Sequence, residues 1–267
     1  MTSHAALPTA ELAIYAVLAV PVLVVLFRHL PLGAAGWGYL FAFCTLRIVG
    51  GALSRSGKQP AAANIISNVG LSPLLLAASG ILHEARHLRA AAANKSLELT
   101  LFVFYHAAVL AGVALVAAGG SSLSSDHPKP NASKLVKAGI AILTVCWVAL
   151  CAWVVSSVRP PRHVRAAATA AREGTVLLYS LAASLVLVGI RVLYSLVALC
   201  SEKPSLNPAT GSLAIRVVLA FLPELIAVLI LLGAGILTLN AMRLRAAAVP
   251  AETEGSGKQA EETTTRV

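Results

Sequence analysis

One short segment carries the residue types of a zinc hydrolase. The sequence HEARH at 83–87 matches the H-E-x-x-H pattern, in which two histidines on one helix face bind zinc and the glutamate activates water. A third ligand is the difficulty. Asp126, the only aspartate, is predicted on the opposite side of a membrane, and the candidates on the same side, Glu98, His163 and Glu173, have no motif around them. Arg86 would also repel a dication. The segment is therefore predicted to be an interfacial basic cap that includes one acid. The alternative is a membrane-embedded zinc hydrolase that uses three residues: His83, Glu84 and His87.

A second set of candidates consists of charged groups inside apolar segments. Ionisable groups at bilayer depth are costly unless they face a partner or water. Glu224 is predicted near the midplane and needs a cation, which Arg47 or Arg191 can supply at similar depth. Tyr194 lies one helical turn from Arg191, and Asn68 belongs to a polar stripe on another segment. These groups predict either polar contacts that join helices or a polar pocket for a small ligand.

The elements that would position these groups are seven long apolar segments. Each is long enough to cross about 30 Å of hydrocarbon as a helix, and none shows the alternation of a barrel strand. We therefore predict an all-α, polytopic seven-transmembrane-helix bundle. Its spans are predicted at 10–27, 34–53, 62–82, 99–118, 135–157, 174–199 and 213–239. Trp37, at the start of the second span, is predicted to be a lipid-facing or interfacial belt residue.

The distribution of basic residues predicts the orientation. Placing the N-terminus outside puts twelve Lys and Arg residues in inner loops and the tail, against six in outer loops. We therefore predict an N-out, C-in topology with three parts. Residues 1–9 form a short extracellular or lumenal N-terminus, 10–240 form the membrane domain, and 241–267, rich in Glu, Thr and Gly, form a disordered cytoplasmic tail.

Composition excludes several classes of protein. The 267 residues are 58% hydrophobic and 12% charged, and their mean hydropathy is +0.81. A soluble domain of this size needs more polar surface. The formal charge of +10 follows the ends of apolar segments instead of clustering on one soluble face, so nucleic acid is not a predicted partner. We expect the lipid bilayer of the plasma membrane or an endomembrane as the main partner, and no cofactor.

Three segments resemble a family of fungal seven-helix membrane proteins known only as a domain of unknown function. They are TLRIVGG at 45–51, NVGLSPLLLAASG at 68–80 and RVLY at 191–194. The resemblance covers nearly the whole membrane region and implies a fungal multipass protein without an assigned activity. It also increases the weight of four positions, which carry the match: Arg47, Asn68, Arg191 and Tyr194.

These observations predict a non-enzymatic seven-helix protein that binds a small lipophilic or anionic molecule. The ligand would occupy an outer-half polar pocket, and the protein would act as a receptor-like sensor or as a lipid or drug-resistance facilitator. The predicted pocket residues are Arg47, Asn68, Arg191, Tyr194 and Glu224.

Overall fold

A computed structural model of the chain describes residues 3–56, 70–89, 95–123, 125, 127, 130–158, 168–201 and 211–239. These residues form helices and no strands. The helices are α1 (Ser3–Arg28), α2 (Ala34–Ser56), α3 (Leu71–Leu88), α4 (Lys95–Leu123), α5 (Ala132–Ser157), α6 (Ala168–Ser201) and α7 (Leu213–Leu237). Helix α7 has three parts: an α-helical turn over Leu213–Arg216, a π-helical segment over Val217–Phe221 and an α-helix over Leu222–Leu237.

Six of these helices, all except α3, are long and apolar enough to cross a membrane. Large apolar side chains such as Val17, Phe104, Val145 and Leu237 lie exposed on the outside of the bundle. A soluble monomer rarely exposes so much contiguous apolar surface, whereas hydrocarbon solvates it without penalty. The described residues therefore have the architecture of a multipass membrane protein.

Helix α3 lies in the middle of the bundle, in contact with α2 and α6. All its residues are buried except His83, Arg86 and His87. A helix that is surrounded by protein does not need a lipid-facing apolar surface, so it can contain more polar groups than its neighbours. The predicted third span, 62–82, ends six residues too early, since α3 continues to Leu88. Its first eight positions lie outside the described residues.

Close contact between α2 and α3 depends on two glycines. A Cβ atom on Gly80 would lie 2.3 Å from the backbone nitrogen of Gly36, and one on Gly36 would lie 2.7 Å from the backbone nitrogen of Ile81. Only residues without a side chain permit this distance, as in other small-residue contacts between membrane helices. The contact brings the start of α2 against the second half of α3.

Successive helices run in opposite directions, so the bundle has two ends, and each helix begins at one end and finishes at the other. We call the end at which α1 begins the N-side and the end at which α7 finishes the C-side. Helix α1 begins at Ser3, inside the segment 1–9 that the sequence assigns to a short N-terminus. The predicted tail, 241–267, lies outside the described residues.

Candidate functional site

The N-side half of the bundle contains a carboxylate held by two guanidinium groups. Glu224 of α7 is completely buried. Its Oε1 atom accepts a hydrogen bond of 2.9 Å from Nε of Arg191 on α6, and its Oε2 atom accepts one from Nη2 of Arg47 on α2. Charge-assisted bonds of this kind are about twice as strong as neutral ones. One acidic side chain therefore joins three helices.

Further contacts hold Arg191 in place. Its Nη1 atom donates to the hydroxyl of Ser195, one turn further along α6, and that hydroxyl donates to the Arg191 carbonyl at 3.1 Å. The Arg191 guanidinium carbon lies 5.7 Å from the ring centre of Tyr194, within the range of a cation–π contact. Arg191 is thus oriented by its own helix as well as by Glu224.

Arg47 has a weaker second partner on α1. Its Nη1 atom lies 3.9 Å from Oε2 of Glu11, and its guanidinium carbon lies 5.4 Å from the ring centre of Phe43. We call Glu11, Arg47, Arg191 and Glu224 the N-side cluster. Its two cations and two anions cancel formally, which reduces the cost of burying four charges.

Two buried donors in this region have no hydrogen-bond partner among the described residues: Nε of Arg47 and the hydroxyl of Tyr15. Tyr15 is fully buried on α1, and its ring packs edge-on against Phe43 at 5.5 Å and Phe221 at 6.4 Å. The charges of Arg47, Glu224 and Glu11 all act on its hydroxyl. Buried donors are usually satisfied, so a pair of unused ones beside an ionic cluster marks this region as unusual.

Helix α7 is irregular where it enters the cluster. The π-helical segment Val217–Phe221 ends immediately before Leu222, and Pro223 and Glu224 follow. Proline provides no backbone N–H, and π-helical segments within α-helices are frequent at functional sites. The irregularity therefore coincides with the residue that binds both arginines.

A family model described as Domain of unknown function (DUF7702) matches residues 1–241. The chain belongs to the DUF7702 family. The match includes every described helix. No curated protein and no solved structure matches the chain. The family relationship agrees with a multipass membrane protein and assigns no activity.

Four of the five predicted pocket residues of this DUF7702 protein come together in the structure: Arg47, Arg191, Tyr194 and Glu224. The fifth, Asn68, lies outside the described residues. The sequence reasoning did not identify Glu11 and Tyr15. Glu11 is an acidic residue just inside the predicted first span, 10–27, and this position was the available signal. Tyr15 had none, because a tyrosine in an apolar helix is common.

The zinc-hydrolase alternative for the DUF7702 chain finds no support. His83 and His87 stack with ring centres 6.2 Å apart. Glu84 points elsewhere, since its Oε2 atom accepts a 2.8 Å hydrogen bond from Trp37 Nε1 and its Oε1 atom lies 2.5 Å from His29 Nδ1. The described residues contain no group of three or more His, Cys, Asp or Glu residues arranged to hold a metal ion.

Two other expectations about the C-side half are wrong. Glu84 is not part of an interfacial cap, because it is completely buried. Trp37 is not a lipid-facing belt residue, because it is equally buried and donates to Glu84. Both errors have one cause: sequence position gives the depth of a residue but not the helix face that meets a neighbour. Arg86 does form a polar contact near that end, with Oε1 of Glu98 at 2.7 Å from its Nε atom.

Proposed function

We propose that this DUF7702 protein binds a small lipophilic acid at the N-side cluster, as a receptor-like sensor or as a lipid or drug-resistance facilitator. We further propose that the N-side faces outward and that the C-terminus is cytoplasmic, as the basic residues indicate. Digestion of a C-terminal tag from outside intact cells would contradict this orientation.

The pair of unused donors, Arg47 Nε and the Tyr15 hydroxyl, carries the proposal. Both side chains are almost completely buried, and both atoms can donate a hydrogen bond to an oxygen atom of a ligand. An acceptor with a negative charge is favoured, because Arg47 shares Glu224 with Arg191 and has only a distant second carboxylate in Glu11. A carboxylate or phosphate matches the planar guanidinium donors.

The location of the cluster favours a ligand with an apolar part. The cluster lies within helices that are apolar enough to cross a membrane, and α1 exposes Val17 and Val20 on its outer surface. A ligand that partitions into the lipid can reach the polar groups along such a surface, with its acidic group directed toward Arg47. A strongly hydrated ion would first have to lose its water.

The test uses decanoate as the acid and methyl decanoate as its uncharged counterpart. We expect decanoate to raise the thermal unfolding midpoint of the detergent-solubilised protein, because a ligand that binds only the folded state stabilises it. The ester lacks the charge and should give a much smaller shift. Tyr15→Phe keeps the ring contacts and removes one donor, so the decanoate shift should decrease.

Tyr179→Phe is the matched control, since Tyr179 is an exposed tyrosine on α6. Its decanoate shift should equal that of the unmodified protein. Equal shifts with acid and ester would show detergent-like binding and overturn the proposal. An undiminished decanoate shift in Tyr15→Phe would overturn the assignment of the site to this cluster.

A further inference from the structure

A second polar cluster lies at the opposite end of the bundle, and the proposed ligand site does not use it. His29 follows the last residue of α1 and is buried between α3 and α7. Its Nδ1 atom lies 2.5 Å from Oε1 of Glu84, and its Nε2 atom lies 3.1 Å from the carbonyl oxygen of Gly235. Trp37 donates to the other oxygen of Glu84. We call His29, Trp37 and Glu84 the C-side cluster.

The partners of His29 determine the number of protons that the cluster contains. A carbonyl oxygen only accepts, so Nε2 must carry a hydrogen to bond Gly235. The bond between Nδ1 and Glu84 then needs one more proton, located on the imidazole or on the carboxyl group. Without that proton, the Nδ1 lone pair would face a carboxylate oxygen at 2.5 Å. The observed geometry therefore contains one exchangeable proton.

A cavity lies beside this region, between α6 and the end of α7. It has a volume of about 230 Å³ and is lined by Arg172, Glu173, Val176, Leu237 and Thr238. Glu173 is partly buried, and its Oε2 atom has no hydrogen-bond partner among the described residues. The charges of His29 and Arg172 both act on Glu173. The cavity is large enough for water, so Glu173, whose charge acts on His29, can be hydrated.

The charged groups on the surrounding elements are few. Helix α6 contributes Arg172 and Glu173, and α3 contributes Glu84 and, at its end, Arg89. Arg89 is directed to the end of α5, where its Nη1 atom donates to the carbonyl of Ser157 at 2.5 Å. Helices α2 and α7 contribute only uncharged groups to the contacts of the cluster, the Trp37 indole and the Gly235 carbonyl.

We propose that the His29–Glu84 pair is a proton-binding site that exchanges with the C-side through the cavity beside Glu173. Binding transfers one proton from water to the pair and forms one N–H or O–H bond, with no change in oxidation state. The bound proton joins the end of α1 to α3 and α7. Its release would place a lone pair against a carboxylate and weaken that junction. The site is independent of the N-side cluster, so either proposal can fail alone.

The electrostatic surroundings of His29 favour the protonated imidazole. Burial by itself disfavours the charged imidazole, but the hydrogen bond and charge of Glu84, together with the Gly235 carbonyl, raise the pKa of His29 above its ordinary value. A histidine whose pKa is raised by folding stabilises the protein fully below its unfolded-state value, about 6.5, and this contribution is lost as the pH rises through the folded-state pKa.

Titration of the imidazole by nitrogen NMR tests the proposal in the intact, detergent-solubilised protein. The His29 signal, assigned by its loss in His29→Asn, should be that of an imidazolium or strongly hydrogen-bonded ring near neutral pH and should titrate above pH 6.5. Glu173→Gln removes a neighbouring negative charge and should move the titration midpoint to lower pH. A His29 signal that does not change between pH 5 and pH 10 would overturn the proposal.

Glu84→Gln separates proton binding from structural support. The glutamine can accept from Trp37 with its oxygen and donate to the Nδ1 lone pair with its amide, so a neutral His29 is satisfied without the extra proton. We expect the fall of the unfolding midpoint with rising pH to diminish in this variant. Glu98→Gln is the control, because Glu98 binds an arginine at the same end of the bundle. An unchanged pH dependence in Glu84→Gln would contradict the assignment.

Discussion

The two ends of the bundle each bury a glutamate, but they neutralise it differently. Glu224 binds two guanidinium groups, whereas Glu84 binds an imidazole and an indole. Guanidinium groups stay charged at every pH that proteins encounter, while imidazole changes its charge near neutrality. The N-side cluster is therefore a permanent ionic contact with unused donors, and the C-side cluster is a proton-dependent one. The chemistry of the partner decides what a buried carboxylate can do.

The two clusters also differ in the backbone around them. The N-side cluster lies where α7 changes from π-helical to α-helical geometry. The C-side cluster lies beside a close contact between the backbones of α2 and α3, at Gly36 and Gly80. Irregular helices change conformation more readily than tightly packed ones, so we expect the N-side to respond to ligands by movement and the C-side by protonation.

The largest expected effect comes from removing the shared carboxylate. Glu224→Leu leaves Arg47 and Arg191 buried with Glu11 as the remaining anion, and the free energy of unfolding should fall by about 3–5 kcal/mol. Denaturant unfolding in detergent measures the change. Leu229→Ala, on the exposed surface of the same helix, is the control and should have little effect.

The double substitution Arg191→Leu, Glu224→Leu tests whether the pair is coupled. We expect it to be less destabilised than the sum of the single substitutions, because it removes both members of one ion pair. Additive effects would show that Arg191 and Glu224 do not interact, and the contrast between the two ends would then depend on Arg47 alone.

An intermediate effect is expected from disturbing the C-side cluster without changing its polar groups. The new methyl group in Gly80→Ala would lie against the backbone of Gly36 and push the start of α2, including Trp37, away from Glu84. Overpacking of this kind costs about 1–3 kcal/mol. Thermal unfolding measures the loss of stability, and tryptophan fluorescence measures the displacement of Trp37.

Gly38→Ala is the matched control on α2, since a methyl group there has no neighbour within 4 Å among the described residues. It should be neutral or slightly stabilising, because alanine favours a helix over glycine by up to about 1 kcal/mol. Equal losses in Gly80→Ala and Gly38→Ala would show that the α2–α3 contact does not support the C-side cluster.

The smallest effect is expected at the second contact of Arg191. Ser195→Ala removes the hydroxyl that accepts from its Nη1 atom and should cost about 1 kcal/mol, a typical net value for one hydrogen bond. Ser184→Ala, on the same helix, removes a hydroxyl that donates only to backbone carbonyls and should cost less. The reverse order in unfolding measurements would mean that Ser195 does not support the charged cluster.

Depth along each helix was predictable from the sequence, and depth identified much of the N-side cluster. Arg47, Arg191 and Glu224 occur at similar depth in different segments, so the cost of an unpaired charge in hydrocarbon predicted that Arg47 or Arg191 would pair with Glu224. The same argument could not reach the C-side cluster. His29 stands in a short loop next to Arg28, and nothing in its sequence position indicates that it is buried.

The sequence did not show which face of each helix contacts protein and which contacts lipid, and the tertiary structure was needed to assign them. Glu84 and Trp37 lie near predicted span ends, where charged and aromatic residues usually meet lipid headgroups. Helix α3, however, is surrounded by other helices and packs closely against α2 at Gly36 and Gly80, and both side chains are buried between helices. The periodicity of a sequence shows which residues share a helix face. In a helix that is enclosed by protein, however, no face is distinguished by contact with lipid, so the periodicity does not show which neighbour each face contacts.

The sequence by itself therefore determined the helical, membrane-type architecture and the need for partners around its intramembrane charges, because long apolar segments and buried charges have few stable arrangements. Only the tertiary structure decided the partners. It gave Glu224 two arginines and Glu84 a histidine, and it packed Tyr15 against Phe43, the ring that Arg47 also contacts. Those pairings depend on which faces the helices turn toward one another, and that choice results from packing among all of them at once.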